Sequence, residues 1–315
     1  MQRKLAMNHQ TKQRIRDTLG NLKTFVYNLM YFAKRSQEEN DAAMLRNLVL
    51  SLPSEVKKKY ADECAYVESL APDELRFLMF PYPDDDERLG KGTLSGKEHG
   101  LFYVLHAGKK KLFFPSLRND YDGLIRMEGL LGTGTLAKSP HCYQDKDFKV
   151  EEGDVLLDVG CAEAIFALDN IEKVEKAYLF ESEHVWRKPL RLTFAPYVDK
   201  TVIINKLVSD RTTRKSIRLV DAVAGEMSSD AHFFVKMDIE GWERTVINGN
   251  ADFFKKAKVK LSCCVYHRQD DATEIEKMLK DMGYKTRFSE GWMLPTMNGI
   301  HYPYFRHGVI YAQNY

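Results

Sequence analysis

The residues of this 315-residue chain that could do chemistry gather in short stretches, each at the end of an apolar run. Asp238-Ile-Glu-Gly-Trp-Glu243 places three carboxylates within six residues, directly after the run Phe233-Phe-Val-Lys-Met237. Such a cluster suits a polar acceptor site or a loose Mg²⁺ site, since hard cations seek carboxylate oxygens. Helix N-termini also attract acids, and both readings apply together, with Asp238 facing the pocket and Glu243 nearer the helix. The next apolar run, Val259 to Tyr266, delivers His267 to the same edge. An unperturbed imidazole titrates near neutral pH, which suits it to proton transfer.

A second set lies upstream. Asp158 closes the apolar run that begins at Val155, and Gly160, Ala162 and Ala164 keep the following turn free of bulky side chains. A ligand can then approach the backbone and meet the positive end of a helix. About twenty residues on, Ala177-Tyr-Leu-Phe-Glu181 ends in an acid, where dinucleotide folds bind ribose hydroxyls. Together these units point to an adenosine-bearing ligand. Thr201 to Val208 is a third run, ending at Ser209-Asp210. An acid there suits a hydrogen bond from an exocyclic adenine amine, or it begins a turn. Ser139-Pro-His-Cys-Tyr143 precedes the first core run, which makes His141 and Tyr143 candidate cofactor or substrate contacts. A satisfied surface histidine is the alternative.

These residues need an α/β scaffold to bring them together. Val155 to Leu157 reads as a central parallel strand covered on both faces. Runs at 177–181, 201–208, 233–237 and 259–266 repeat the pattern, with helices over Ser182–Phe194 and Asp271–Met282 between them. Ligands in such sheets bind outside the carboxyl ends of the strands. Lys285–Leu294 and Tyr304–Ala312 read as antiparallel strands at one edge, and Leu101–His106 with Lys111–Pro115 as a hairpin before the sheet. Upstream, Ile15, Leu19, Leu22, Val26, Leu29 and Phe32 share one face of a long amphipathic helix. Shorter helices follow at Asp41–Leu52 and Ser54–Leu70. This region reads as a lid or cap on the main domain, with a partner or dimer surface as the alternative. Pro81 to Glu87 is a turn and charge run that divides residues 1–85 from a domain over 86–315. Gly129 to Thr135 is glycine-rich but lacks the lysine and hydroxyl residue of a phosphate loop, so it reads as a loop.

Composition bounds the function. With 44% hydrophobic and 29% charged residues and a net charge of +2, the chain has no nucleic-acid surface signature. No apolar run reaches the roughly 18 residues of a membrane span. The first residues lack the apolar core of a secretion signal. Five scattered cysteines form neither a disulfide framework nor a zinc spacing, which points to a reducing cytoplasm.

Asp158-Val-Gly-Cys-Ala-Glu163, Leu179-Phe-Glu181, Lys236-Met-Asp-Ile-Glu-Gly-Trp-Glu243 and Val265-Tyr-His267 together resemble the FkbM-type S-adenosylmethionine-dependent methyltransferases. The Lys-x-Asp-x-Glu-Gly-x-Glu signature, followed at the next strand by Tyr-His, is the specific part, and the resemblance covers about residues 100 to 312. It implies a class I methyltransferase (Rossmann-like) sheet, mostly parallel with an antiparallel edge, beside the N-terminal helical appendage. It also implies methyl transfer from S-adenosyl-L-methionine to oxygen on a saccharide or secondary metabolite. On that reading Asp158, Gly160, Glu163, Glu181, Ser209, Asp210 and His141 hold the cofactor, Asp158 and Glu163 pairing with its ammonium group. His267 is the expected general base, Asp238 orients the acceptor or ligates Mg²⁺, and Glu240 is a second carboxylate. Partner expectations are a small-molecule or glycan acceptor and a homo-oligomer, with no nucleic acid and no membrane. One departure stands out: Ala164 occupies a position where the family usually has glycine, and it is strained if φ is positive there. That favours a second reading, a catalytically silent cofactor-binding domain that acts as an assembly subunit. A nicotinamide oxidoreductase ranks last, because the turn lacks the Gly-x-Gly-x-x-Gly pattern. Trp292, Tyr302, Tyr304 and Phe305 either stack on a sugar ring or pack at the sheet edge.

Overall fold

Short apolar runs bounded by turns build the sheet, as their length and β-branched and aromatic content dictate. A computed structural model describes residues 40–70, 94–115, 139–295 and 299–315. Three antiparallel strands come first: β1 (Leu94–Glu98), β2 (Leu101–His106) and β3 (Lys110–Phe114). The main sheet begins with β4 (Val155–Val159), β5 (Lys176–Phe180) and β6 (Thr201–Ile204). A two-residue parallel pair, β7 (Leu207–Val208) and β8 (Ser216–Ile217), interrupts the connection. The chain then returns to the sheet as β9 (His232–Met237), β10 (Lys258–Cys264), β11 (Lys285–Phe288) and β12 (Val309–Gln313).

The seven-stranded order is β11-β12-β10-β9-β4-β5-β6. Strand β12 is antiparallel to both its neighbours, and every other pair is parallel. This is the class I methyltransferase sheet, Rossmann-like with an antiparallel edge. The chain leaves β4 in one direction and resumes at β9 on its other side. The switch point, where open α/β sheets leave a crevice, therefore lies between the carboxyl ends of β4 and β9.

Every residue of β4 is buried, because helices cover both faces. Alternation along the strands divides the core into two halves. Leu156, Leu179 and Phe234 pack on one side with Phe166 and Leu190. Val155, Leu157 and Val235 pack on the other with Val246, Phe253 and Leu279. All five cysteines are buried, and none is in a disulfide.

Several expected elements come out shorter: the edge strands expected over Lys285–Leu294 and Tyr304–Ala312 are β11 and β12, at Lys285–Phe288 and Val309–Gln313. The helix expected over Ser182–Phe194 is a 3₁₀ turn at His184–Trp186 followed by a helix over Arg187–Thr193. Glu183 N–H donates to the Glu181 carboxylate at 2.7 Å, which keeps the chain extended before the turn. The third strand stops at Ile204 rather than Val208, where Asn205 turns back to donate to Glu181 O at 3.4 Å.

Residues 40–50 are helical, and helices Ser54–Lys59 and Ala61–Ser69 are separated by a break at Tyr60. Leu45, Val49, Tyr60 and Val67 pack against Leu294 and Phe305, so this part of the appendage lies on the main domain. The long helix expected from Ile15 to Phe32, the domain boundary near Pro81–Glu87 and the Gly129–Thr135 loop lie outside the described residues. Among the described residues, no helix is long and apolar enough to cross a membrane.

Candidate active site

The carboxyl ends of β4, β5 and β9 open on a cleft of about 810 Å³, within the range of roughly 300–1,000 Å³ typical of small-molecule sites. The turn after β4 forms one wall. Gly160 has φ +74° and a Cβ there would stand 2.0 Å from Asp238 O, so the two strand ends touch through a missing side chain. Lys236, only 5% exposed within β9, donates to Gly160 O at 2.8 Å and lies 3.2 Å from Asp158 Oδ1. Burial alone would lower the Lys236 ammonium, yet the Asp158 and Asp238 carboxylates raise it above the ordinary lysine range. It is thus a fixed cation tying the two central strands together.

Glu181 closes this wall. Its two oxygens accept from Ala162 N–H at 3.0 Å and Glu183 N–H at 2.7 Å. Burial pushes the carboxyl up, opposed by those two donors. Each oxygen retains a second lone-pair site for a ligand hydroxyl. Glu163 also lines the cleft. Ala162 and Ala164 take φ +45° and +62°, so the conformation that would strain alanine is adopted. Ala164 packs in the core, and it is not among the residues lining the cleft.

The opposite wall is the turn after β9. Asp238 lines the cleft and accepts from the Tyr143 hydroxyl at 2.7 Å. His141 Nε2 and His267 Nε2 lie 3.5 and 3.4 Å from its two oxygens. Burial opposes ionisation of Asp238, but His141, Lys236 and His267 hold its carboxyl far below the usual range. His267 sits behind it, with Nδ1 3.0 Å from Glu243 Oε1 and Nε2 facing Asp238. A carboxylate at each ring nitrogen matches an imidazolium, which has two N–H donors. Burial alone would lower the His267 pKa, but the Glu243 hydrogen bond and the charges of Asp238 and Glu240 raise it. Glu243 also accepts from Ile239 N–H at 3.0 Å, which fixes the turn.

Residues 199–286 match the family described as the methyltransferase FkbM domain. That stretch includes Lys236–Glu243 and His267, the two parts of the signature that meet at Asp238. Over that stretch the chain is similar to the FkbM methyltransferase domain. Among solved structures it is similar to methyltransferase FkbM from Methylobacillus flagellatus KT, at 17% identity and TM-score 0.42. The alignment covers 62% of this chain and 55% of that one, so the chain spans about half the length of that protein. It is also similar to precorrin 8w decarboxylase from Methanobacterium thermoautotrophicum (14% identity, TM-score 0.35, 52% and 83% coverage). A third likeness is to precorrin-6y C5,15-methyltransferase from Geobacter metallireducens GS-15 (13% identity, TM-score 0.36, 53% and 83% coverage). No curated protein matches.

Several expected contacts sit elsewhere. His267 does not line the cleft and reaches it only through Asp238. His141 is neither at the surface nor in the cleft lining: its Nε2 is buried 3.1 Å from the Tyr143 hydroxyl and 3.3 Å from that of Tyr266. Ser209 lines the cleft but Asp210 does not; its carboxylate lies 3.3 Å from Arg211 and accepts from the Ser209 hydroxyl at 2.9 Å. The early end of β6 hands that wall to Lys206, Leu207, Arg211 and Lys215, which sequence reasoning passed over. Lys236 likewise has a part in the site that its place in the motif does not show. A lysine inside an otherwise apolar strand was the signal that it carries a buried ion pair.

Among the described residues, two groups bring possible metal donors within 4.8 Å: His141, Asp238 and Cys264, and Asp238, Glu243 and His267. Mg²⁺ prefers an octahedron of oxygens, several of them water. Each group here includes a buried imidazole, and in the second the carboxylates lie at opposite ring nitrogens. This donor set gives the Mg²⁺ expectation no support.

Proposed function

We propose that this chain transfers the methyl group of S-adenosyl-L-methionine to a hydroxyl of a saccharide or secondary-metabolite acceptor. One observation carries the reading: Asp238 lines the same cleft as Glu163 and Glu181. The donor set fits the cofactor, with Glu163 for an ammonium, Glu181 for a pair of ribose hydroxyls and side-chain-poor Gly160 and Ala162 between them. Bound there, the cofactor supplies an already activated methyl group, so the protein's part is mostly positioning.

Asp238 accepts a hydrogen bond from the acceptor hydroxyl and takes its proton as the oxygen loses electron density. A carboxylate with a low pKa suffices at that stage, because an alkylated hydroxyl is strongly acidic. A positioned base contributes roughly 10²–10⁴-fold. Tyr143 and His267 hold the Asp238 carboxylate in place, which moves the base from His267 to its neighbour. Ala164, which favours the catalytically silent alternative, adopts the strained φ but stands outside the cleft lining.

Calorimetric titration of S-adenosylhomocysteine into the wild type and into Glu181→Ala tests the reading. Micromolar binding, weakened by about 1–3 kcal/mol in the variant, is the expected result. No binding to the wild type would overturn it.

A further inference from the structure

We infer that Trp242 and Glu240 form the acceptor platform and that the acceptor is a polyhydroxylated pyranose ring lying flat on Trp242. The inference rests on the methyl-transfer reading and deepens it. Trp242 is 62% exposed and lines the cleft beside Asp238. An indole this open beside Asp238 offers its face to a bound ligand. The backbone that carries the indole is also held in place from behind. Trp242 N–H donates to Ile239 O at 3.3 Å, and buried Glu243 accepts from Ile239 N–H at 3.0 Å.

Between those anchors the chain turns through two left-handed residues, Glu240 at φ +57° and Gly241 at φ +91°. Strain at a non-glycine residue persists where the surroundings over-determine it, most often at functional sites. At Gly241 the φ, not space, calls for glycine, since a Cβ there would make only ordinary contacts, 3.4 Å from Arg268 Nε and 3.7 Å from His267 Cβ. The strained turn leaves the Glu240 side chain 84% exposed while the residue lines the cleft. One rigid segment therefore presents a buried-anchored carboxylate, an open carboxylate and an indole to the same space.

That combination complements a pyranose. Its C–H face is apolar and stacks on an aromatic ring, while the hydroxyls around its edge donate to carboxylates. A flat phenolic acceptor would cover Glu240 while offering it few donors, leaving a charge desolvated without compensation. The tail aromatics do not compete for this role. Trp292 packs 5.0 Å from Tyr60 and 4.1 Å from His307, and Phe305 stacks on Tyr60 at 4.1 Å. Neither they nor Tyr302 and Tyr304 line the cleft.

The test uses the full chain saturated with S-adenosylhomocysteine. It is titrated with methyl pyranosides of hexose, 6-deoxyhexose and uronic acid type, and separately with simple phenols. Tryptophan emission and calorimetry are read together. At least one methyl pyranoside should bind and shift the emission to the blue. Trp242→Ala should weaken that binding about tenfold. Trp242→Phe should recover most of the affinity while abolishing the emission shift, and Glu240→Ala should also weaken binding. All variants should bind S-adenosylhomocysteine as the wild type does. Equal pyranoside affinity in Trp242→Ala overturns the platform, as does binding of phenols but no pyranoside, or of S-adenosylhomocysteine alone. Failure of the wild type to bind S-adenosylhomocysteine is a different result: it removes the methyl-transfer reading, and the platform with it.

Discussion

The two turns that wall the cleft solve the same geometric problem by different means. Each follows a central strand and each contains non-glycine residues at positive φ, Ala162 and Ala164 in one and Glu240 in the other. The turn after β4 is shaped by what is missing: small side chains, and a glycine that lets Asp238 O approach. The turn after β9 is shaped by what lies buried behind it, a chain of charge running from Glu243 through His267 to Asp238. A backbone-shaped turn tolerates loss of a side chain. A charge-shaped turn depends on every member, because one missing partner leaves another charge buried alone.

Lys236 joins the two turns, so replacing it is the harshest way to probe the contrast. Lys236→Met removes the cation 3.2 Å from Asp158 and the donor to Gly160 O. Breaking a buried pair on one side only costs about 3–5 kcal/mol, which urea unfolding at neutral pH would measure. Adding Asp158→Leu should recover much of that loss, since replacing both charges by apolar groups is often neutral. A single variant as stable as the wild type would show that the parallel ladder and packing join the strands without the ion pair.

His267 sharpens the comparison from the other side. Its pKa is raised in the folded protein, so the stabilisation from its charge is complete below about pH 6.5, the ordinary histidine value. That stabilisation is lost as pH rises through the folded pKa. The stability difference between wild type and His267→Gln should therefore be largest in mild acid and shrink toward alkaline pH. A difference that stays flat across neutral pH would mean the imidazole is neutral. His267 could then serve as the general base after all.

This contrast also explains which parts were legible in the amino-acid sequence. The sheet was, because β4, β9 and β10 are near-continuous apolar runs and each ends in polar residues that the fold gathers at one edge. The turn after β4 was legible for the same reason that it works, since small residues announce close approach. Less was legible where a polar residue has more than one partner to choose from. Ser209-Asp210 follows a strand, as an adenine-binding acid should, yet Arg211 next to it captures the carboxylate. His267 reads as a free base in the sequence because nothing there shows Glu243 returning from the helix start to its second nitrogen. The tail aromatics Trp292 and Phe305 read as ring stackers until the N-terminal helices supply Tyr60 to pack against them.

Ala164 gives the smallest effect and the finest test of a backbone-shaped turn. An L-residue in the left-handed region loses roughly 1–2 kcal/mol relative to the right-handed one, so Ala164→Gly should relieve strain. Against this, glycine adds freedom to the unfolded chain, worth about 0.4–1 kcal/mol. It also gives up a buried methyl group worth about 0.8 kcal/mol. The terms nearly cancel, and the expected change in unfolding free energy is under about 1 kcal/mol in either direction. That balance is why alanine can stand where glycine is usual. Because Ala164 is outside the cleft lining, affinity for S-adenosylhomocysteine should be the same in both proteins. A variant that binds it much more tightly would show that the alanine methyl shapes the cleft from beneath, and the turn would no longer count as one that side chains leave alone.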